Sequence, residues 1–253
     1  MLHDTWLIFL REVSQRRRQT FWLVVGLIQP LLYMFLYGPL VTRLLADGAS
    51  LTSGWGVFVP ALLLQSSLTQ AMYVGLSLLV EYRAGVLERL WVAPISRPAL
   101  LLGKLANIGV TVAVLSVIII LLCRLFFRFH APLAGLALCV LLNVVVAVAL
   151  ASYSYTVALL TKNEMALGTA LHSAMLPLLL LSGAFLPITA GSAPTWLYRL
   201  SRLNPIAYVM DTNRAVLEGD FSSSAALTGT FVLVALAAVG LWWSTRTFAR
   251  DHE

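Results

Sequence analysis

Few groups inside the apolar stretches of this 253-residue chain are able to do chemistry. His172 is the only ionisable side chain well inside such a stretch, and Gln29, Gln65, Gln70 and Asn143 are its polar companions. A histidine placed there can relay a proton or touch a passing solute, and it can equally be a neutral ring hydrogen-bonded to a neighbouring helix. Gln65, Gln70, Asn143 and His172 are the candidates for a pathway through the apolar layer. Every Asp and Glu lies in a tail, a connection or the edge of an apolar run. Ion-coupled carriers titrate carboxylates at the middle of the bilayer, and none stands there. The sequence carries no phosphate-cradling G-x-x-x-x-G-K-[ST] loop, since Gly103 and Lys104 are followed by Leu105. It has no H-E-x-x-H and no nucleophile elbow either. Neither catalytic residues nor metal ligands are expected in this chain, so any work it does must draw energy from another protein.

The elements that hold these groups belong in lipid. The composition is 60% hydrophobic and 11% charged, with a mean hydropathy of +0.88. A soluble domain of this size carries about a quarter of its residues charged. Lipid must therefore cover much of the surface, and the chain is predicted to be an all-α integral membrane protein. The net charge of +6 raises the question of nucleic acid. The basic residues flank apolar runs instead of forming a stripe with interleaved aromatics, which fits topology control and excludes a nucleic-acid partner. Cys123 and Cys139 lie in or at the ends of apolar segments and show no metal-ligand spacing.

Six runs approach the roughly 20 apolar residues that a spanning helix needs. They cover residues 19–42, 57–80, 99–123, 132–160, 165–188 and 225–245 of a single domain, 1–253. The first follows Arg16, Arg17 and Arg18 and resembles a signal peptide, but its 24 uncharged residues exceed such a peptide's apolar region and no A-x-A site follows. Residues 1–18 place Trp6, Leu7, Phe9, Leu10 and Val13 among charges, the pattern of an interfacial amphipathic helix. With both termini cytoplasmic, 11 of the 17 Lys and Arg fall inside and 6 outside, in segments next to the spans. That orientation, in the cytoplasmic (inner) membrane, is the expected one.

Two connections are more than loop. Residues 81–98 contain VLERLWVAPISRPA from Val86, where Leu87, Leu90 and Trp91 share a face while Glu88 and Arg89 stay wet. Pro94 disfavours helix at Ala93, and Pro98 suits the first turn of the next span. This short cytoplasmic helix between spans 2 and 3 either transmits a push from a soluble partner or seats Trp91 among headgroups. The residues alone leave both open. Residues 189–224, on the outer side, hold two amphipathic pieces, TWLYRLSRLNP and IAYVMDTNRAVLEG, predicted as short re-entrant or interfacial helices, the second stopped by Gly219.

The stretch EYRAGVLERLWVAPISRPALLLGK, from Glu81 to Lys104, resembles the cytoplasmic loop of permease subunits of type-2 ABC exporters, in particular the daunorubicin-resistance permease branch. LNPIAYVMDTNRAVLEG, from Leu203 to Gly219, is similar to that family's Asn-Pro-x-x-Tyr, Asp-x-x-Arg, Gly element before the last span. The resemblance covers essentially the whole chain. It implies a coupling helix at which Gly85, Leu87, Glu88, Arg89, Leu90 and Trp91 meet an ATPase. It also implies an external gate containing Asn204, Pro205, Tyr208, Asp211, Arg214 and Gly219. The implied partners are two copies of an ABC ATP-binding subunit, which carry the ATP and magnesium, and a second permease, an identical one in a homodimer. The implied cargo is amphiphilic drugs, antibiotics or lipids. Export of lipid-linked polysaccharide or oligosaccharide is the alternative, and Tyr33, Tyr37, Tyr73, Tyr153 and Tyr155 are the aromatics that could line a sugar passage. A membrane-embedded enzyme or an assembly subunit without transport is the further alternative.

Overall fold

The computed structural model describes residues 2–18, 20–40, 43, 51–86, 97–127, 129–189, 191 and 193–250. The described residues are mainly helical, with no strand among them. Helix α1 runs Leu2–Arg18 and α2 runs Thr20–Leu32, passing into a π-helical turn at Tyr33–Tyr37. The long helices are α3 (Leu51–Arg83), α4 (Arg97–Phe127) and α5 (Leu133–Thr161). Helix α6 (Glu164–Leu181) is followed by two short helices, α7 (Thr195–Ser201) and α8 (Pro205–Glu218), and α9 (Ser224–Arg250) closes the described chain.

Five of these, within α3, α4, α5, α6 and α9, are long and apolar enough to cross a membrane. The first expected span corresponds to a shorter apolar helix, Gly26–Leu40. Multiple apolar helices of spanning length make this a multi-pass membrane protein.

Helix α5 is the central post, with α3, α4, α8 and α9 packed around it. Inside a bilayer the tails are as apolar as the helices, so close packing has to hold the bundle, and small residues permit it. Gly75 of α3 lies against Ser154, Gly109 of α4 against Val144 and Gly240 of α9 against Tyr153 and the Ala149 carbonyl, each on α5. One apolar cluster joins Ile8, Leu79, Leu101, Ala158 and Phe248 at one end of the bundle. A second, with Met34, Phe58, Cys123 and Cys139, fills the other end. A third seats α8 on α3 and α5 through Leu64, Val146, Ile206 and Met210.

The helices differ widely in how much of them the chain itself covers. The apolar window of α3 is 78% buried, whereas that of α6 is only 6% buried. Helix α6 begins at an Asn163 cap, whose side-chain oxygen accepts from the Met165 and Ala166 amides. It is 18 residues long and ends at Leu181, short of residue 188, to which the run is expected to continue. The carbonyls just beyond its end, of Gly183 and Ala184, accept from Arg214 instead of from a continuing helix.

Candidate functional site

The expected site residues fall at three places. At one end of the bundle, α3 stops as the Gly85 amide donates to the Tyr82 carbonyl (3.1 Å). Gly85 adopts φ +66°, a left-handed conformation that side-chain-bearing residues rarely take. Leu87, Glu88, Arg89, Leu90 and Trp91 lie outside the described residues.

The residues flanking that loop are tied to α1. The Lys104 ammonium, at the base of α4, donates to Glu12 of α1 (2.9 Å) and to Glu81 at the end of α3 (2.6 Å). Its side chain is 4% exposed, and the two carboxylates are 13% and 14% exposed. One residue earlier, Gly103 lets α1 approach; a Cβ there would stand 2.7 Å from Ile8 Cγ2 and 3.0 Å from the Thr5 carbonyl. The Gly–Lys pair thus has a structural reason, a bare spot for the α1 backbone followed by a buried charge that fixes it. Two outer contacts frame this clamp. Arg83 meets Glu164 of α6 at 3.2 Å, largely exposed, and Lys162 lies over the Tyr82 ring.

At the opposite end of the bundle, all six residues of the Asn-Pro to Gly element gather on α8 and its caps. Asn204 caps α8 by accepting from the Ile206 amide (3.0 Å), while its Nδ2 reaches back to the Leu178 carbonyl of α6 (2.7 Å). Pro205 opens the helix, where its missing N–H costs nothing. The Tyr208 hydroxyl donates to the Arg202 carbonyl (3.1 Å). The Arg202 guanidinium bonds Asp211 (2.7 Å) and lies over the Tyr198 and Tyr208 rings. Arg214, beside Asp211 at 3.9 Å, donates to the Gly183 and Ala184 carbonyls. Gly219, at φ +87°, closes the helix. Burial lowers the Arg214 pKa. It also pulls on Arg202, where the hydrogen bond and charge of Asp211 outweigh it and raise the pKa. Both guanidinium groups stay charged at any physiological pH. The element is a staple that fixes α8 to the end of α6, and Thr212 ties it to α9 through the Ala225 carbonyl (3.1 Å).

The third set is dispersed. Gln65, Gln70 and Asn143 are buried within the bundle. Asn143 Nδ2 donates to the Cys139 carbonyl (2.8 Å), and the Gln70 amide sits beside Gly26 of α2. His172 is exposed on α6, its Nδ1 2.9 Å from the Gly168 carbonyl. The structure does not bring these four to one surface. Of the five tyrosines, Tyr153 bonds the Leu236 carbonyl and Tyr155 packs on Phe248 inside the bundle, while Tyr33, Tyr37 and Tyr73 share a groove.

A helical bundle built around α5, clamped at one end through Lys104 and stapled at the other through Arg202 and Arg214, with five helices long and apolar enough to cross a bilayer, is a multi-pass membrane protein. The chain belongs to the ABC-2 type transporter family, which it matches over residues 3–217. It is 26% identical, over 84% of its length and 73% of the relative's, to a protein of Cyanophora paradoxa named as transport permease ycf38. It is 26% identical, over 83% of its length and 75% of the relative's, to a Mycobacterium tuberculosis protein named as the doxorubicin resistance ABC transporter permease DrrC. An Escherichia coli protein named as the multidrug ABC transporter permease YbhR is also 26% identical, over 71% of this chain and 48% of that one.

Proposed function

We propose that this chain is the membrane-spanning subunit of an ATP-driven exporter of amphiphilic drugs or lipids. A separate ATP-binding subunit, in two copies, supplies the hydrolysis together with its ATP and magnesium, and a second copy of this chain completes the pathway. In this reading α2 is the first of six spans, α1 lies along the inner interface of the cytoplasmic membrane, and both termini are cytoplasmic. The loop containing Glu88 and Arg89 receives the ATPase, and α7 and α8 form the outer gate. The observation that carries the reading is the Glu12–Lys104–Glu81 clamp. A loop whose two flanks and neighbouring interfacial helix share one buried charge moves as a unit, as a coupling element must. The drug-export relatives support the cargo class.

The test is co-purification with the ATP-binding subunit. Reversing both charges, Glu88→Lys with Arg89→Glu, is expected to abolish association while the protein still inserts. Undiminished association would refute the coupling assignment.

A further inference from the structure

Helix α2 carries an irregularity at the middle of its apolar run. Pro30 removes the N–H that would bond the Gly26 carbonyl, and the next residues form the π-turn Tyr33–Tyr37. Turns of this kind recur at functional sites because they re-aim side chains. Here the turn opens a groove of about 500 Å³ lined by Ile28, Gln29, Leu32, Tyr33, Leu36 and Tyr37, with Tyr73 of α3 on its far wall. That volume lies in the range of small-molecule sites.

The lining is unsuited to lipid tails alone. The Gln29 carboxamide and the Tyr33, Tyr37 and Tyr73 hydroxyls line an outward-facing groove and have no hydrogen-bond partner among the described residues. Gln29 is ten residues into the 19–42 run, about 15 Å from its inner end, too deep to reach the headgroups. Hydrocarbon offers the Gln29 carboxamide nothing, at a cost of about 2 kcal/mol or more, whereas the Tyr37 hydroxyl, five residues from the far end of the run, is within reach of the headgroups. The occupant must therefore bring hydrogen-bonding atoms to mid-membrane depth. No ionisable Asp, Glu, Lys, Arg or His lines the groove, so it matches an uncharged ligand. Ile28, Leu32 and Leu36 ask for an apolar body. The Tyr33 ring packs on Tyr37 (5.6 Å, tilted by 34°) and on Phe185 (5.8 Å), and the exposed rings of Tyr37 and Tyr73 are the surfaces against which a flat ring can lie.

We propose that the π-turn face of α2, together with Tyr73, binds a neutral, planar aromatic amphiphile whose carbonyl or hydroxyl edge pairs with Gln29 and the three phenols. That this ligand is cargo rests on the exporter reading; that it binds rests only on that reading's placement of α2 across the bilayer. The test is titration of the full chain alone, in nanodiscs of phosphatidylcholine and phosphatidylglycerol, with Nile red, a flat uncharged dye whose carbonyl accepts hydrogen bonds. Fluorescence is corrected against empty discs. Saturable binding is expected, weakened about 3- to 10-fold by each of Tyr33→Phe, Tyr37→Phe, Tyr73→Phe and Gln29→Leu, the size of one net hydrogen bond. Phe231→Leu, an exposed change on α9, is expected to leave it unaltered. Absence of saturable binding, or indifference to all four groove variants, overturns the proposal. So does efficient disulfide cross-linking of Leu36→Cys between two copies in discs that bind no dye, which would make this face a seam between copies. The two readings fail separately. Dye binding without stimulation of the partner's ATP hydrolysis removes the cargo role and leaves the site, whereas an associated, cargo-stimulated ATPase with no dye bound removes the site and leaves the exporter.

Discussion

Replacing Lys104 with methionine removes the ammonium that Glu12 and Glu81 share while keeping most of the side chain's volume. The two carboxylates, only 13% and 14% exposed, then face each other without their common donor. Breaking a buried ion pair from one side costs about 3 kcal/mol or more, because a desolvated charge is left behind. At 1.4 kcal/mol per tenfold, about 3 kcal/mol raises the population with α1 undocked on the order of 100-fold. Ile8 reads that opening, since it is 2% exposed and packs at Gly103. In an Ile8→Cys background, maleimide labelling under conditions where opening is fast should accelerate by about that factor with Lys104→Met. Adding Glu12→Gln and Glu81→Gln should return the rate most of the way, because a neutral triad carries no stranded charge. Arg83→Gln, which breaks a largely exposed pair worth about 0–1 kcal/mol, should change labelling little. Labelling of the Lys104→Met protein at the parental rate would refute the clamp.

Two further outcomes are expected. Arg214→Met strands the Gly183 and Ala184 carbonyls at about 1–3 kcal/mol; amide exchange should speed up across residues 183–188 and stay unchanged in α4. Cysteines placed at Val92 and Thr195 should react with membrane-impermeant reagents from the cytoplasmic and external sides respectively, and the opposite pattern would reverse the orientation.

Apolar run length made the long helices readable from sequence, because a bilayer leaves little other use for about 20 uncharged residues. The cap at Asn204 and the stop at Gly219 were readable for a similarly local reason, the backbone groups at the two ends of α8. What the motif residues do was not. Arg214 bonds carbonyls 30 and 31 residues away, and Lys104 meets partners 23 and 92 residues away. Such pairings depend on which helices become neighbours, which periodicity does not encode. A weak signal existed for the clamp: a lysine within an apolar span, directly after a glycine, needs both a counter-charge and a close neighbour. Gln65 and Asn143 are buried inside the bundle; a helix in lipid can turn an amide toward a neighbour as readily as toward a passage, and residue type alone does not distinguish the two. The π-turn left no trace in the pattern of types, since Tyr33–Tyr37 is as apolar as an ordinary helical turn.

That turn also changes how α2 would tolerate insertions and deletions. An inserted residue in an otherwise regular helix rotates everything beyond it by about 100°. The π-turn already absorbs one such residue, since its five residues turn the helix by about as much as four residues of a regular α-helix. Losing one residue between Leu32 and Gly38 would convert the π-turn to α-helix and leave Gly26 beside Gln70 and Gly38 beside Trp55. At this position a change in chain length is taken up without a change in direction.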